Sequence, residues 1–201
     1  MDPQKLINSA LQTLKTFLEE RLRSSFSHEN KTASLLAYWL KDYVRMLRRE
    51  RSSAYRRFQR GDIVKVHFGF RIGSEHGGLH YAIVLNPYDS PKSPVITVIP
   101  LTSLKSPDQV NRLHFGEVFL GAQLLRKLYA KLDENANDAL ASEISRLKWG
   151  SIALTNQITT ISKVRIYDPI NRDSPLRGVR LDSEAMDQVD AALKKFLFRP
   201  E

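Results

Sequence analysis

The sequence contains no cysteine, which removes disulfides and thiolate-held metals and fits a reducing cytoplasm. No apolar run approaches the roughly 20 residues that span a bilayer, and Met1-Asp2-Pro3 does not open like a signal peptide. A cytoplasmic chain without membrane contact is expected. Internal repeats and low-complexity tracts are lacking. There is no Walker loop and no dinucleotide fingerprint, so most phosphate-using enzyme classes drop out. His76 and His80 have the i, i+4 spacing of a zinc helix, but Gly77-Gly78 between them opposes a helix and the HExxH order is absent. No metal or other cofactor is expected. Gly73-Ser74-Glu75-His76-Gly77 is one residue short of a G-x-S-x-G elbow, and no strand-to-helix switch follows it.

What is there describes a globular chain. Its 201 residues suffice for one ordinary domain or a small domain with an appendage. Hydrophobic content of 42% with 26% charged residues is that of a folded protein. The net charge of +9 is unevenly placed, because residues 1–60 hold 13 Lys/Arg against 6 Asp/Glu. Lys41 to Arg60 alone carries eight basic and two acidic side chains. Such an excess attracts polyanions; it is also the composition of a solvated helix face followed by a basic linker. Arg56, Arg57 and Arg60, interleaved with Tyr55 and Phe58, suit single-stranded nucleic acid, where bases stack and phosphates pair. A linker with two packing anchors has the same composition.

Asp2-Pro3 is an N-cap and N1 pair. Leu6, Ala10, Leu14, Phe17 or Leu18, and Leu22 follow at helical spacing. After a polar break over Ser24 to Lys31, a second helix is expected to present Leu36, Trp39 or Leu40, Tyr43 and Leu47 on one side. Together these predict a helical hairpin over residues 1–55, with a second domain over 56–201. Within that domain, residues 106–150 read as an insertion of two helices. Val118, Leu124 or Leu125, Leu128 and Leu132 mark one; Ala136, Leu140, Ile144 and Leu147 mark the other, with Asn135 and Asn137 near the break. Ser151 to Thr155 and Ile158 to Ile166 read as strands, Asp168 to Gly178 as a loop, and Asp182 as the cap of a final helix bearing Met186, Val189, Leu193 and Phe196.

The informative stretch is Arg60 to Ser103. Ile63 to Phe68 alternates around Lys65 and His67 as a half-buried strand does, and Tyr81 to Leu85 and Val95 to Leu101 are β-branched runs. Between the first two strands, Gly69 to Gly78 contains four glycines, one carboxylate and one imidazole, with His80 just beyond. Reactive groups tend to sit on such loops between rigid strands. A carboxylate, imidazoles and a hydroxyl without metal suit RNA cleavage by internal transfer, in which a base activates the 2′-OH and an acid protonates the departing 5′-oxygen.

Arg60-Gly61-Asp62-Ile63-Val64, then Gly73-Ser74-Glu75 with Gly78, then an apolar strand and Ile99-Pro100-Leu101-Thr102-Ser103, resembles the PemK/MazF toxins of type II toxin–antitoxin pairs. Ser151 to Ile161 resembles the family's next strand pair, and the helix from Asp182 its C-terminal helix. The resemblance implies an α+β fold: a small SH3-like β-barrel with a C-terminal helix, here with an N-terminal helical hairpin and a helical insertion. It implies a metal-independent, single-strand-specific endoribonuclease acting on mRNA as a homodimer, blocked by a separately encoded antitoxin protein.

By the same resemblance the family's glutamate after Gly-Ser matches Glu75, and a threonine ending the third strand matches Thr102. The family's prominent catalytic arginine matches His80, which is a departure. Imidazole is a better proton-transfer group than guanidinium near neutral pH and a poorer permanent cation. The resemblance thus gives His80 as general acid or base, Glu75 as the complementary group, and Thr102 as a phosphate donor. Ser74, His76, Gly77, Gly78, Ser103 and Gln157, with Arg56, Arg57 and Arg60, are the expected RNA contacts. The alternative on the same fold is a catalytically inactive RNA- or protein-binding module. Each residue also has a plain role: Glu75 bonding loop amides, Thr102 and Gln157 finishing strands, His67 simply exposed.

Overall fold

The computed structural model describes residues 2–50, 55–134, 138–145, 147 and 149–198. The chain divides into two compact units, Met1–Arg49 and Glu50–Glu201.

The first unit is a pair of helices, α1 (Pro3–Arg23) and α2 (Ser27–Arg49). Asp2 caps α1 by accepting from the Gln4 amide at 3.0 Å, with Pro3 at the first position. The connection is shorter than the expected break over Ser24 to Lys31, because the Phe26 amide donates to Ser24 Oγ and α2 starts at once. Arg21 donates to Glu29 at 2.7 Å across the turn. The buried stripe of α2 also differs from expectation. Ala33 and Met46 are its buried residues, whereas Tyr43 and Leu47 stay exposed. Leu36, Trp39 and Leu40 are half-buried, on the expected side.

The second unit is an α+β fold on an antiparallel sheet. Its strands are β1 (Ile63–His67), β2 (Leu79–Val84), β3 (Val95–Ser103), β4 (Glu117–Phe119), β5 (Ser151–Leu154), β6 (Thr159–Ser162) and β7 (Ile166–Asp168). Helices α3 (Gln123–Glu134) and α4 (Asp138–Ser145) lie between β4 and β5, and α5 (Ser183–Leu197) follows β7. The strand order is β4-β5-β3-β2-β1-β7, with β6 pairing β3. Long β3 serves two arms: Val95 to Val98 pairs with β6, and Leu101 to Ser103 with β5.

The alternation of β1 sorts two cores. Val64, Val66 and Phe68 face a cluster with Phe58, Ala82, Val84, Ile96, Val98, Ile161 and Ile166. Ile63 faces the larger cluster, where Ile83, Ile99 and Leu101 meet Met186 and Val189 of α5 and Leu124, Leu128, Leu140, Ile144 and Leu147 of the 106–150 segment. That segment is therefore part of the main core. Asp182 caps α5 by accepting from the Ala185 amide at 3.0 Å.

Three readings are corrected. Val118 does not begin a helix; it sits in β4 opposite Ala153. Leu147 lies beyond α4, and Ala136 of the expected helix, with the expected break near Asn135 and Asn137, falls outside the described residues. Ile158 to Ile166 is not one strand but β6, a 3₁₀ turn over Lys163–Arg165, and β7 on a different neighbour. The break has a physical cause. Lys163 is buried, and its Nζ donates to both Asp89 carboxylate oxygens at 2.7 and 2.8 Å and to the carbonyls of Arg56 and Ser90. Asp89 in turn accepts from the Phe58 amide at 2.8 Å. A buried ammonium demands such full partnering, and the chain turns out of its strand to reach it.

Candidate active site

The β1–β2 connection stands off the sheet on glycines. Gly69, Gly73 and Gly78 have φ of 98°, 60° and 83°, a region that costs a side chain but not glycine. The loop is closed at its base by the Gly78 amide donating to the Gly69 carbonyl at 2.8 Å and the Phe68 amide to the Gly78 carbonyl at 2.8 Å. Gln157, in the 3₁₀ turn after β5, clips its far end. It accepts from the His76 amide at 3.3 Å and donates to the Ser74 carbonyl at 3.4 Å. Gln157 thus touches the loop's backbone on both sides of Glu75.

Two hollows flank this loop. The first, about 240 Å³, is lined by Lys65, Leu79, His80, Tyr81, Leu101, Thr102, Ser103, Leu147 and Ser151. Register explains the meeting of His80 and Thr102. Ala82 pairs with Pro100 at the end of the antiparallel β2–β3 ladder, and His80 and Thr102 each lie two residues beyond that pair, where both line the hollow. Ser103 follows, paired with Ser151. The Ser151 hydroxyl is buried with no hydrogen-bond partner among the described residues. Lys65 has its ammonium 5.8 Å from the Tyr81 ring centre and pairs in register with Asp168 of β7. Burial pushes the Asp168 carboxyl up, against the opposing pull of the Leu176 amide, Ser174, Lys65 and Arg56.

The second hollow, about 180 Å³, is lined by Phe68, Arg71, Glu75, His76, Pro100, Asn156, Gln157, Ile158 and Thr159. Glu75 is exposed here, with Arg71 Nη1 3.9 Å away. The hollows meet at the two imidazoles, since the His76 and His80 ring centres are 4.0 Å apart. Phe68 meets the His76 ring edge-on at 5.8 Å. Burial, then the neighbouring His80, pushes His76 down from 6.5 to about 4. Burial also lowers His80, against a hydrogen bond to the Gly77 backbone that raises it. Both shifts favour the neutral ring.

His80, Thr102 and Ser103 therefore share one hollow, while Glu75, His76 and Gln157 share the other. Ser74, Gly77 and Gly78 form the loop between them. The three arginines expected to track RNA line neither hollow. Arg56 donates to the Asn171 carbonyl at 3.1 Å, and Arg60 binds the Leu85 carbonyl and Asp190 of α5. Arg57 is exposed. Arg71, Ser151 and Leu147 are among the lining residues that the sequence reading did not place in the site. Only the four-residue spacing of Arg71 and Glu75 hinted at the first.

Among the described residues no group of three or more His, Asp or Glu gathers to hold a metal ion. None of the described helices is long and apolar enough to cross a membrane.

Comparison with known proteins follows this layout. The family model for the PemK-like, MazF-like toxin of type II toxin-antitoxin systems matches residues 59–197. No curated protein matches the chain. Among solved structures, the crystal structure of MazF (Form-I) from Deinococcus radiodurans is 17% identical and covers 71% of this chain and 98% of that chain, with a TM-score of 0.43. The match runs from just before β1 through α5, taking in both hollows, so the chain belongs to the PemK-like, MazF-like family of toxins of type II toxin–antitoxin systems, with α1 and α2 ahead of the family domain.

Proposed function

We propose that the protein is a metal-independent endoribonuclease of single-stranded RNA, the toxin of a toxin–antitoxin pair. The observation that carries this reading is the meeting of His80 and Thr102 in one open hollow beside the loop that bears Glu75. The neutral His80 imidazole, held so by burial, takes the proton from a ribose 2′-OH. The 2′-oxygen attacks the adjacent phosphorus, and the bond to the 5′-oxygen breaks. Glu75, in the complementary role, relays a proton from solvent to the departing 5′-oxygen. Thr102 donates a hydrogen bond to a phosphate oxygen. The products are a 2′,3′-cyclic phosphate and a 5′-OH, and DNA cannot react because it has no 2′-OH.

Ser103 and the loop backbone of Ser74, Gly77 and Gly78 border the strand's path, with His76 and Gln157 on the Glu75 side. The exposed Arg57 extends that path through charge alone. Membership of the family supports a homodimer, a cytoplasmic setting and a separately encoded antitoxin that covers the groove.

The test is incubation of the chain with mixed-sequence RNA in excess chelator. Cleavage is expected, and a single 2′-deoxy substitution at a mapped cut site abolishes it. RNA that is bound but intact at every pH from 5 to 9 favours a binding module on the same fold.

A further inference from the structure

A phosphodiester passing through its five-coordinate state gains negative charge, and a site that speeds this step aims a fixed positive group at it. The imidazole pair does not supply a fixed one, since burial disfavours the charge on both rings and His80 gains charge only with the proton it takes. Glu75 and Thr102 bring no positive charge. The second hollow nevertheless contains a permanent cation that the reading above leaves unused. We propose that Arg71 grips the phosphate undergoing cleavage and is a further catalytic residue of this site. The inference rests on the ribonuclease reading.

Arg71 is held at two points and leaves its reactive end forward. Its Nε donates to the Phe68 carbonyl at 2.9 Å. Its stem lies on Gly77, where a Cβ would come within 3.0 Å of Arg71 Cγ and 3.2 Å of its Cβ. The same Cβ would come within 3.0 Å of the Gly69 carbonyl oxygen, so Arg71 and the loop backbone together leave no room for a side chain at Gly77. The Gly77 backbone is also the hydrogen-bond partner of His80. Gly77 thus adjoins both the cation and the imidazole.

The far end of Arg71 remains under-used. Its Nη1 stands 3.9 Å from Glu75 Oε2, beyond hydrogen-bond length. Among the described residues, its terminal nitrogens make no hydrogen bond. A side chain with its stem fixed and two outer N–H groups unsatisfied, one-third exposed at the rim of a hollow, matches the fork geometry with which guanidinium binds phosphate. The loose carboxylate contact pre-orients the fork and yields to a phosphate that offers two oxygens. Lys65, the cation of the first hollow, lies over Tyr81 and beside Asp168 instead.

The test uses the full chain and a short RNA with one mapped cut site, in chelator, under single-turnover conditions. Arg71→Gln is expected to lower the cleavage rate about 100-fold, the scale for removal of one charge-stabilising donor. Arg71→Lys recovers part of that loss, and millimolar guanidinium recovers part of the loss in Arg71→Ala. A merely structural arginine would show neither rescue, and its loss would lower the melting temperature in step with the rate. A rate in Arg71→Gln within threefold of the unaltered chain overturns the proposal, as does an equal loss in Arg71→Gln and Arg71→Lys with no guanidinium rescue.

The salt dependence of RNA binding separates the two claims. One lost phosphate contact lowers the slope of log K against log salt by about 0.7. A chain that binds but never cuts ends the ribonuclease reading, yet a reduced slope in Arg71→Gln still upholds the phosphate contact. An unchanged slope, or an unaltered chain that binds no RNA, overturns it.

Discussion

Two pairs of opposite charge lie in the same domain and differ in every respect that matters. Lys163 and Asp89 are sealed, with side chains 2% and 1% exposed, and every polar atom of the pair meets a partner. Arg71 and Glu75 stand 3.9 Å apart on a loop, at 32% and 58% exposure. The sealed pair joins three segments: the approach to β1, the loop before β3 and the turn between β6 and β7. The open pair joins nothing beyond its own loop. Charge that has used all its hydrogen bonds builds the fold; charge that keeps some in reserve meets a substrate. The His76–His80 pair is intermediate, partly buried and with the His76 Nε2 lacking a partner among the described residues.

Breaking the sealed pair is the largest perturbation available. Lys163→Met strands the Asp89 carboxylate in the core, and chemical denaturation should show a loss of about 3–5 kcal/mol. Any loss of RNA cleavage should follow the fraction unfolded. A loss under 1 kcal/mol would mean that the pair is not the tie described.

His80→Ala makes the opposite kind of change. The rate of RNA cleavage should fall about 100-fold or more, while the melting temperature stays within a few degrees, because His80 sits at the rim of a hollow rather than in either core. A variant that melts early and regains activity on cooling would place His80 among the structural residues.

The imidazoles link the two regimes through pH. Below about pH 6.5 the unfolded chain takes up a proton that folded His76 refuses until about pH 4. The unfolded state then binds more protons, so stability falls as pH drops through that window and is level above it. The slope from His76 should not exceed about 1.4 kcal/mol per pH unit, and His76→Gln should flatten it. His80 shifts in the same direction, so the acid limb of the rate profile should have its midpoint below 6.5. A midpoint above 7 would contradict that account.

The smallest effect sharpens the open pair. Gly77→Ala brings a methyl group within 3.0 Å of both Arg71 Cγ and the Gly69 carbonyl oxygen. Stability should fall by about 1 kcal/mol, while cleavage falls further because Arg71 is displaced. Equal losses in both would place Gly77 in the loop's framework only.

These contrasts also explain what was legible from residues alone. The caps at Asp2 and Asp182 were readable because each acts within its own first turn. The first three strands, and the loop between β1 and β2, were readable from alternation and glycine. The β6–β7 break was not, because Lys163 reaches Asp89 across 74 residues and local β-branching reads straight through it. Val118 was misread for a related reason. Its apolar spacing joins that of α3, and only pairing with Ala153 marks it as a strand. Glu75, His80 and Thr102 stand out in the sequence as chemistry-bearing types. Arg71 does not, since an arginine in a basic chain is unremarkable until Gly77 and Glu75 are seen against it. In the basic run ending at Arg60, Arg56 and Arg60 bind backbone carbonyls of their own domain, a use of charge that composition does not reveal.

The most direct test of the account is the chemistry of the RNA ends left after incubation with the full chain in excess chelator. The account predicts a 2′,3′-cyclic phosphate on one fragment and a 5′-OH on the other, both lost in His80→Ala. Fragments carrying a 5′-phosphate and a 3′-OH, or no fragments at all, would contradict it.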